Sequence, residues 1–183
     1  SWAWPARTNN YGIIDMADFP KDSYYLYQSF WSDKPMVHLL PHWTHPGKEV
    51  IEIPVVVYTN GDEAELFFNN KSLGRKPMDK NVLQIVLKVP YKAGKLTSVA
   101  YKDGKEIARK SVSTASKAST VKITANRQTI KANRKDIVHV VADIIDSKGN
   151  LVPYADNLVT FDVTGPYKLI GVENGDILDM NRN

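Results

Sequence analysis

The spacing of turn signals constrains this chain more than any other feature. Between residues 36 and 114, short apolar runs are separated by Asn, Asp and Gly pairs. The interval is about 8–12 residues, the rhythm of a β-sandwich or barrel. Val37-His38-Leu39-Leu40 is a short apolar run, and residues 49–58 alternate before becoming continuous at Val55-Val56-Val57. Pro54 inside that run predicts an edge or a bulge, because proline has no N–H for a ladder. Thr59-Asn60-Gly61-Asp62 predicts a turn with positive φ. Asn69-Asn70-Lys71 predicts a tight hairpin out of residues 64–69. Residues 82–89 alternate, with Leu83, Ile85, Leu87 and Val89 on one face. Residues 96–101 and 106–112 flank Asp103-Gly104, a strong hairpin signal.

On either side the texture changes. Residues 1–35 are rich in aromatics and hold one helical candidate after Phe19-Pro20, since proline suits a first helical turn. Tyr24, Tyr27, Gln28 and Trp31 fall at helical spacing on one face. Ser32-Asp33-Lys34-Pro35 should end the helix, because proline biases its predecessor away from helical angles. Residues 111–120 are rich in Ser, Thr and Ala and read as a linker. Beyond it, residues 121–125, 137–145, 158–163 and 168–172 read as strands, with a turn at Asp146-Ser147-Lys148-Gly149-Asn150. The expected fold is mainly β, with immunoglobulin-like sandwiches in tandem. The domain limits expected are 1–35, 36–114 and 115–183. The last is truncated, because an immunoglobulin-like sandwich has seven or more strands in about 100 residues.

Composition narrows the chemistry. With 43% hydrophobic and 24% charged residues the chain can build a packed core. It has no cysteine, which removes disulfides, thiolate metal sites and cysteine nucleophiles. Net charge is +4, and the two local basic clusters (Lys71, Arg75, Lys76, Lys80; Arg127, Lys131, Arg134, Lys135) carry no nucleic-acid-binding pattern. They read as solvated loops, and no nucleic acid partner is expected. No apolar run reaches the roughly 18 residues of a membrane span. His38, His42 and His45 have metal-ligating types, but Pro41 and Pro46 break any helix that would align them. No metal or cofactor is expected. Asn174-Gly175-Asp176 reads as a turn, with too few carboxylates for a calcium loop. The aromatic start, Ser1-Trp2-Ala3-Trp4-Pro5, and the abrupt end at Asn183 suggest a piece of a longer chain.

Several motifs, in order, resemble a known family. Tyr11-Gly12-Ile13-Ile14-Asp15, Phe19-Pro20-Lys21-Asp22 and Tyr24-Tyr25-Leu26-Tyr27-Gln28-Ser29 resemble the end of the catalytic barrel in family 2 glycoside hydrolases of the β-galactosidase type. His38-Leu39-Leu40-Pro41-His42-Trp43 and Ile53-Pro54-Val55-Val56-Val57-Tyr58-Thr59-Asn60 resemble the first domain after that barrel. So do Leu66-Phe67-Phe68-Asn69-Asn70-Lys71-Ser72-Leu73-Gly74 and Val99-Ala100-Tyr101-Lys102-Asp103-Gly104-Lys105. Residues 146–153 and Asn157-Leu158-Val159-Thr160-Phe161 are similar to the start of the last immunoglobulin-like domain.

The resemblance implies a short helical tail of a (β/α)8 barrel followed by accessory sandwiches. It also implies a retaining β-glycosidase, which uses two carboxylates about 5–5.5 Å apart. No residue here matches either catalytic motif, and a barrel alone needs about 250 residues. Glu49, Glu52, Glu63 and Glu65 belong to strand and turn patterns instead. The chain alone is therefore expected to be inactive, with the barrel of the same polypeptide as its partner. Trp2, Trp4, Arg7 and Asn9 fall on or near the last barrel loop, where aromatic faces and polar groups suit a sugar ring. They are the candidate substrate-binding residues in an intact enzyme with a carbohydrate substrate. Bacterial export to the periplasm or outside is implied too, and homodimerisation is left open. One rival is a carbohydrate-binding module with Trp31, Trp43 or Tyr58 as platform; another is an interaction or adhesion domain pair.

Overall fold

The computed structural model describes residues 11–79, 81–176 and 179. The elements run α1 (Asp22–Trp31), β1 (Val37–Leu40), β2 (Glu52–Thr59), β3 (Glu63–Phe68) and β4 (Lys71–Pro77). They continue with β5 (Ile85–Pro90), β6 (Lys95–Lys102), β7 (Lys105–Ser113), β8 (Thr120–Ala125) and β9 (Val140–Ile145).

β1 to β7 make an immunoglobulin-like sandwich of two antiparallel sheets. One has the order β1-β2-β5 and the other β4-β3-β6-β7. The chain leaves β4 on one sheet and enters β5 on the other, so sequence neighbours do not all pair. The two inner faces share one core. Leu39, Ile53, Val55, Val57, Ile85, Leu87 and Val89 come from the first sheet, and Ala64, Leu66 and Leu96 from the second. Period-two alternation put them there, since Ile85, Leu87 and Val89 are buried while Lys88 between them is exposed. Each Val or Leu removed from water this way contributes about 1.5–3 kcal/mol. Trp43 and Tyr91 join the same cluster, their rings meeting near edge-on at 5.2 Å.

Pro54 sits in a strand with neighbours on both sides, yet the expectation of an edge holds locally. β1 overlaps β2 only from Val56 to Thr59, so Pro54 faces β5 alone. The β3–β4 turn has φ of 47° at Asn69 and 67° at Asn70, and the β6–β7 turn 50° at Asp103 and 74° at Gly104. Positive φ at both central residues matches the twist of the flanking strands. The Asn60-Gly61 turn works otherwise: Gly61 does not take positive φ. A Cβ there would stand 2.5 Å from the Tyr101 carbonyl oxygen, so it is close approach that demands glycine.

α1 starts later than expected. Pro20 forms an isolated bridge with Ile14, and helix begins at Asp22. Its end is closed by the Ser32 amide donating to the Gln28 carbonyl (3.1 Å). The stretch expected to be a linker is fixed in place. Residues 111–113 complete β7, and the Thr114 and Ala115 hydrogen bonds reach back to Trp43 and Thr44.

Beyond residue 119, the regular structure among the described residues is the antiparallel pair β8–β9, in register from Thr120↔Ile145 to Ala125↔Val140. The second of these strands was expected from residue 137 but pairs only from 140. The strands expected at 158–163 and 168–172 do not form, and Leu158 is 95% exposed. A strand needs a paired edge and a covered face. Among the described residues no second layer covers Val121, Ile123 or Ile170, all of them exposed. Asp146 is the fixed point of this region. Its carboxylate is buried and accepts from the Ser116, Lys148 and Asn150 amides (2.9, 2.9 and 2.8 Å) and from the Asn150 side chain.

These bonds, with Ser116 foremost, hold the Asp146 carboxyl far below the usual range. The unfolded chain therefore takes up this proton first as pH falls, near the ordinary carboxylate value of about 3.9. Stability from Asp146 is full above that value and declines below it. Asp146→Asn should lower the melting temperature at neutral pH and flatten the acid limb of a melting-temperature profile against pH. Gly61→Ala should cost about 1–3 kcal/mol in urea unfolding, as overpacking does.

Candidate functional site

Two features stand out: an aromatic surface at the start of the described chain, and a histidine-rich corner at the far end of β1.

The aromatic surface is built on a closed loop and α1. Asp15 Oδ1 accepts from the Ala17 and Phe19 amides (2.9 and 2.8 Å), and the Lys21 amide donates to the Ile13 carbonyl (2.9 Å). That geometry holds Ile14, Met16 and Phe19 outward, each at least 40% exposed. On α1 the spacing that links Tyr27 to Trp31 makes a second exposed strip, with the rings 4.9 Å apart. Trp31 is 80% exposed. The aromatic face expected from the sequence therefore exists, but it turns away from the sandwich. The residues at 22, 25 and 29 face the other way, at the same helical spacing.

That opposite face is tied down by polar and stacking contacts. Asp22 accepts from the His38 Nε2 (2.7 Å), and the Tyr25 ring stacks on the His38 ring at 3.8 Å. His38 in turn lies over Tyr58 at 6.2 Å. Burial, with the Asp22 carboxylate nearby, pushes the Tyr58 phenol up. Asn60 then closes the exit of the helix. Its amide nitrogen donates to the Ser32 and Lys34 carbonyls (2.9 and 2.8 Å), and its oxygen accepts from the Met36 amide (3.0 Å). Sequence reading saw Asn60 only as a turn residue. No local pattern reports bonds that span 24 to 28 positions.

The corner holds His42, Trp43 and His45. Trp43 has no exposed surface, and its Nε1 donates to the Lys92 carbonyl (2.9 Å). His42 and His45 stack at 4.7 Å. Of the three candidate metal-ligating histidines, His38 is thus set apart from His42 and His45, because it belongs to the helix contact. Among the described residues no group of three or more His, Cys, Asp or Glu is placed to hold a metal ion.

Of the three aromatic platforms considered, Trp43 and Tyr58 are buried and cannot meet a sugar face; Trp31 alone of the three is exposed. Trp2, Trp4, Arg7 and Asn9 lie outside the described residues. Glu63 and Glu65 sit on the outer face of the four-stranded sheet, opposite buried Ala64 and Leu66. Glu63 pairs with Arg75, and Glu65 accepts from Ser72 (2.6 Å) and Tyr101 (3.2 Å). The Arg75 guanidinium covers the Tyr101 ring at 3.8 Å. Both carboxylates are engaged in surface pairing.

Comparison with known proteins bears on these surfaces. Residues 51–108 match a family described as a domain of unknown function, DUF4982. Residues 121–183 match the glycoside hydrolase family 2 C-terminal domain 5. β-Galactosidase BoGH2A of Bacteroides ovatus is 43% identical over 182 residues, 99% of this chain and 21% of that protein. A Formosa agariphila protein provisionally named a β-glucuronidase is 44% identical over 171 residues, 92% of this chain and 16% of that protein. A solved β-glycosidase from Bacteroides vulgatus superposes with a TM-score of 0.94 at 49% identity, over 98% of this chain and 23% of that one. The chain spans about a fifth of the length of the curated relatives it matches. The motif order, the matched C-terminal domain and these long relatives agree, and the chain belongs to glycoside hydrolase family 2, as part of its C-terminal region.

Proposed function

We propose that this chain is the non-catalytic accessory part of a β-galactosidase-type enzyme of that family. Its task is to buttress a catalytic barrel and shape the rim of the active site. The observation that carries this reading is the exposed aromatic surface on a helix that is rigidly joined to the sandwich. Tyr27, Phe30 and Trp31 form an apolar strip that water covers poorly. The contacts of Asp22, Tyr25 and Asn60 fix its direction. A surface held this way suits a rigid partner, and the relatives are far longer than this chain. In this reading residues 1–35 finish the barrel, 36–114 form the first accessory domain, and 115–183 belong to the second. Trp2, Trp4, Arg7 and Asn9 would meet the sugar at the rim. The parent enzyme would be exported from a bacterial cell and hydrolyse O-glycosidic bonds with retention. Galactose is the preferred sugar because BoGH2A is named a β-galactosidase. The Formosa relative makes glucuronic acid the alternative.

The isolated chain should show no turnover of chromogenic galactosides or glucuronides above a no-protein control; measurable turnover would overturn the non-catalytic assignment. In the full-length enzyme, Tyr27→Ala with Trp31→Ala should lower the melting temperature by several degrees. Truncating an aromatic hot spot at an interface costs about 2 kcal/mol or more. The same pair should leave the melting of the isolated chain almost unchanged. Equal losses in both would show that these rings serve the fragment's own fold.

A further inference from the structure

The loop of residues 41–48, between β1 and β2, does two things at once. It carries the stacked His42 and His45 rings, and it holds the segment that leads to the last region. The Thr114 hydroxyl donates to the Trp43 carbonyl (2.7 Å), and the Ala115 amide donates to Thr44 Oγ1 (3.0 Å). The next residue, Ser116, is bound to Asp146. A third contact crosses directly, where the His42 ring meets the Tyr154 ring edge-on at 5.0 Å. Loop 41–48 is therefore a clasp between the sandwich and the region that begins with β8.

The inside of the clasp favours neutral imidazoles. His45 is 7% exposed and packed edge-on against Trp43 and Tyr91, at 6.0 and 5.3 Å. Among the described residues neither of its ring nitrogens makes a hydrogen bond of normal geometry. An imidazolium has two donors and needs two acceptors. His42 has its Nδ1 engaged as acceptor from the Thr44 amide (3.2 Å), which also requires that nitrogen to be unprotonated. The groups facing the pair are Lys48 from the same loop, the Tyr91 hydroxyl, which accepts from the His45 amide (3.1 Å), and Tyr154 from the last region. One is a cation and two are neutral phenols. A proton on the buried His45 or on the half-buried His42 would stand beside Lys48.

We propose that His42 and His45 form a proton-operated clasp, which couples the sandwich to the last region when both rings are neutral and lets residues 114 and 115 go when they are protonated. Burial lowers both imidazoles from their ordinary 6.5, and His42 is lowered further by His45 and Lys48. For His45, Lys48 adds to burial while the His42 carbonyl opposes it in part. The released loop takes up protons near 6.5 and the clasped loop only below that. Clasping is thus fully favoured above 6.5 and weakens as pH falls beneath it. Asp146 keeps its charge far below this window, so the hold of Ser116 on the β9 turn survives and the joint opens at the loop.

The test is nuclear magnetic resonance on the intact chain between about pH 7.5 and 5. The ring signals of His42 and His45 should titrate below 6.5. Protection factors at the Ala115 amide should fall about tenfold or more over the same interval, while those of Val57 and Val99 in the sandwich core stay constant. His45→Gln, which cannot charge, should remove that pH dependence. If the variant does not fold, the wild-type titration decides alone. Constant protection at Ala115 while both rings titrate would overturn the proposal, as would midpoints above 6.5.

Discussion

The arrangement depends on one covered core. Among the described residues, two sheets bury each other where β1, β2 and β5 face β3, β6 and β7, with Val55, Val57 and Leu96 wholly removed from water. Every other part is attached to that body by a few specific contacts. This follows from how apolar area is distributed. α1 has its largest rings on the outside, and β8 has every residue exposed. Neither can be held by burial, so each is held by geometry: Asn60 and the Asp22–His38–Tyr25 stack at one end, loop 41–48 and Asp146 at the other.

Polar joints have a different character from apolar ones. A hydrogen bond is directional and contributes modestly in net terms, about 0.5–1.5 kcal/mol, while an unmet buried partner costs more. Asn60 makes three such bonds across the helix exit, and a shift of α1 would leave several groups unpaired at once. The joint therefore fixes direction more than it adds stability. That is the property required of a piece that must present an aromatic strip to a partner at a defined angle.

Much of this fold was legible in the sequence, for reasons that are local. Asn69-Asn70 and Asp103-Gly104 carry their backbone angles in their own chemistry, and the Ile85, Leu87, Val89 alternation needs no knowledge of its partner. What was not legible was set at long range. Gly61 looked like a residue chosen for φ, and its real reason is the Tyr101 carbonyl 40 positions away. Tyr27 and Trp31 had the spacing of a buried face, but spacing cannot say which of two faces the sandwich takes. Residues 158–163 have the composition of a strand and remain irregular, since composition supplies propensity and only a partner supplies an edge. The candidate sugar contacts, Trp2, Trp4, Arg7 and Asn9, came from resemblance; the histidines were visible in the sequence, but the stacking of His42 on His45 and the separate place of His38 came from the structure.

The two joints also differ in what surrounds the histidine of each. The helix joint centres on His38, whose Nε2 donates to Asp22 and whose ring stacks on Tyr25. The clasp centres on His45, whose ring nitrogens make no hydrogen bond of normal geometry among the described residues and whose charged neighbour is Lys48. The same side chain is thus placed in two opposite electrostatic settings within eight residues of sequence. On the proposed clasp, a mildly acidic medium acts through His42 and His45 and loosens the hold of loop 41–48 on Thr114 and Ala115. The asymmetry rests on which partners surround each imidazole, and it is independent of whether the sugar is galactose or glucuronic acid.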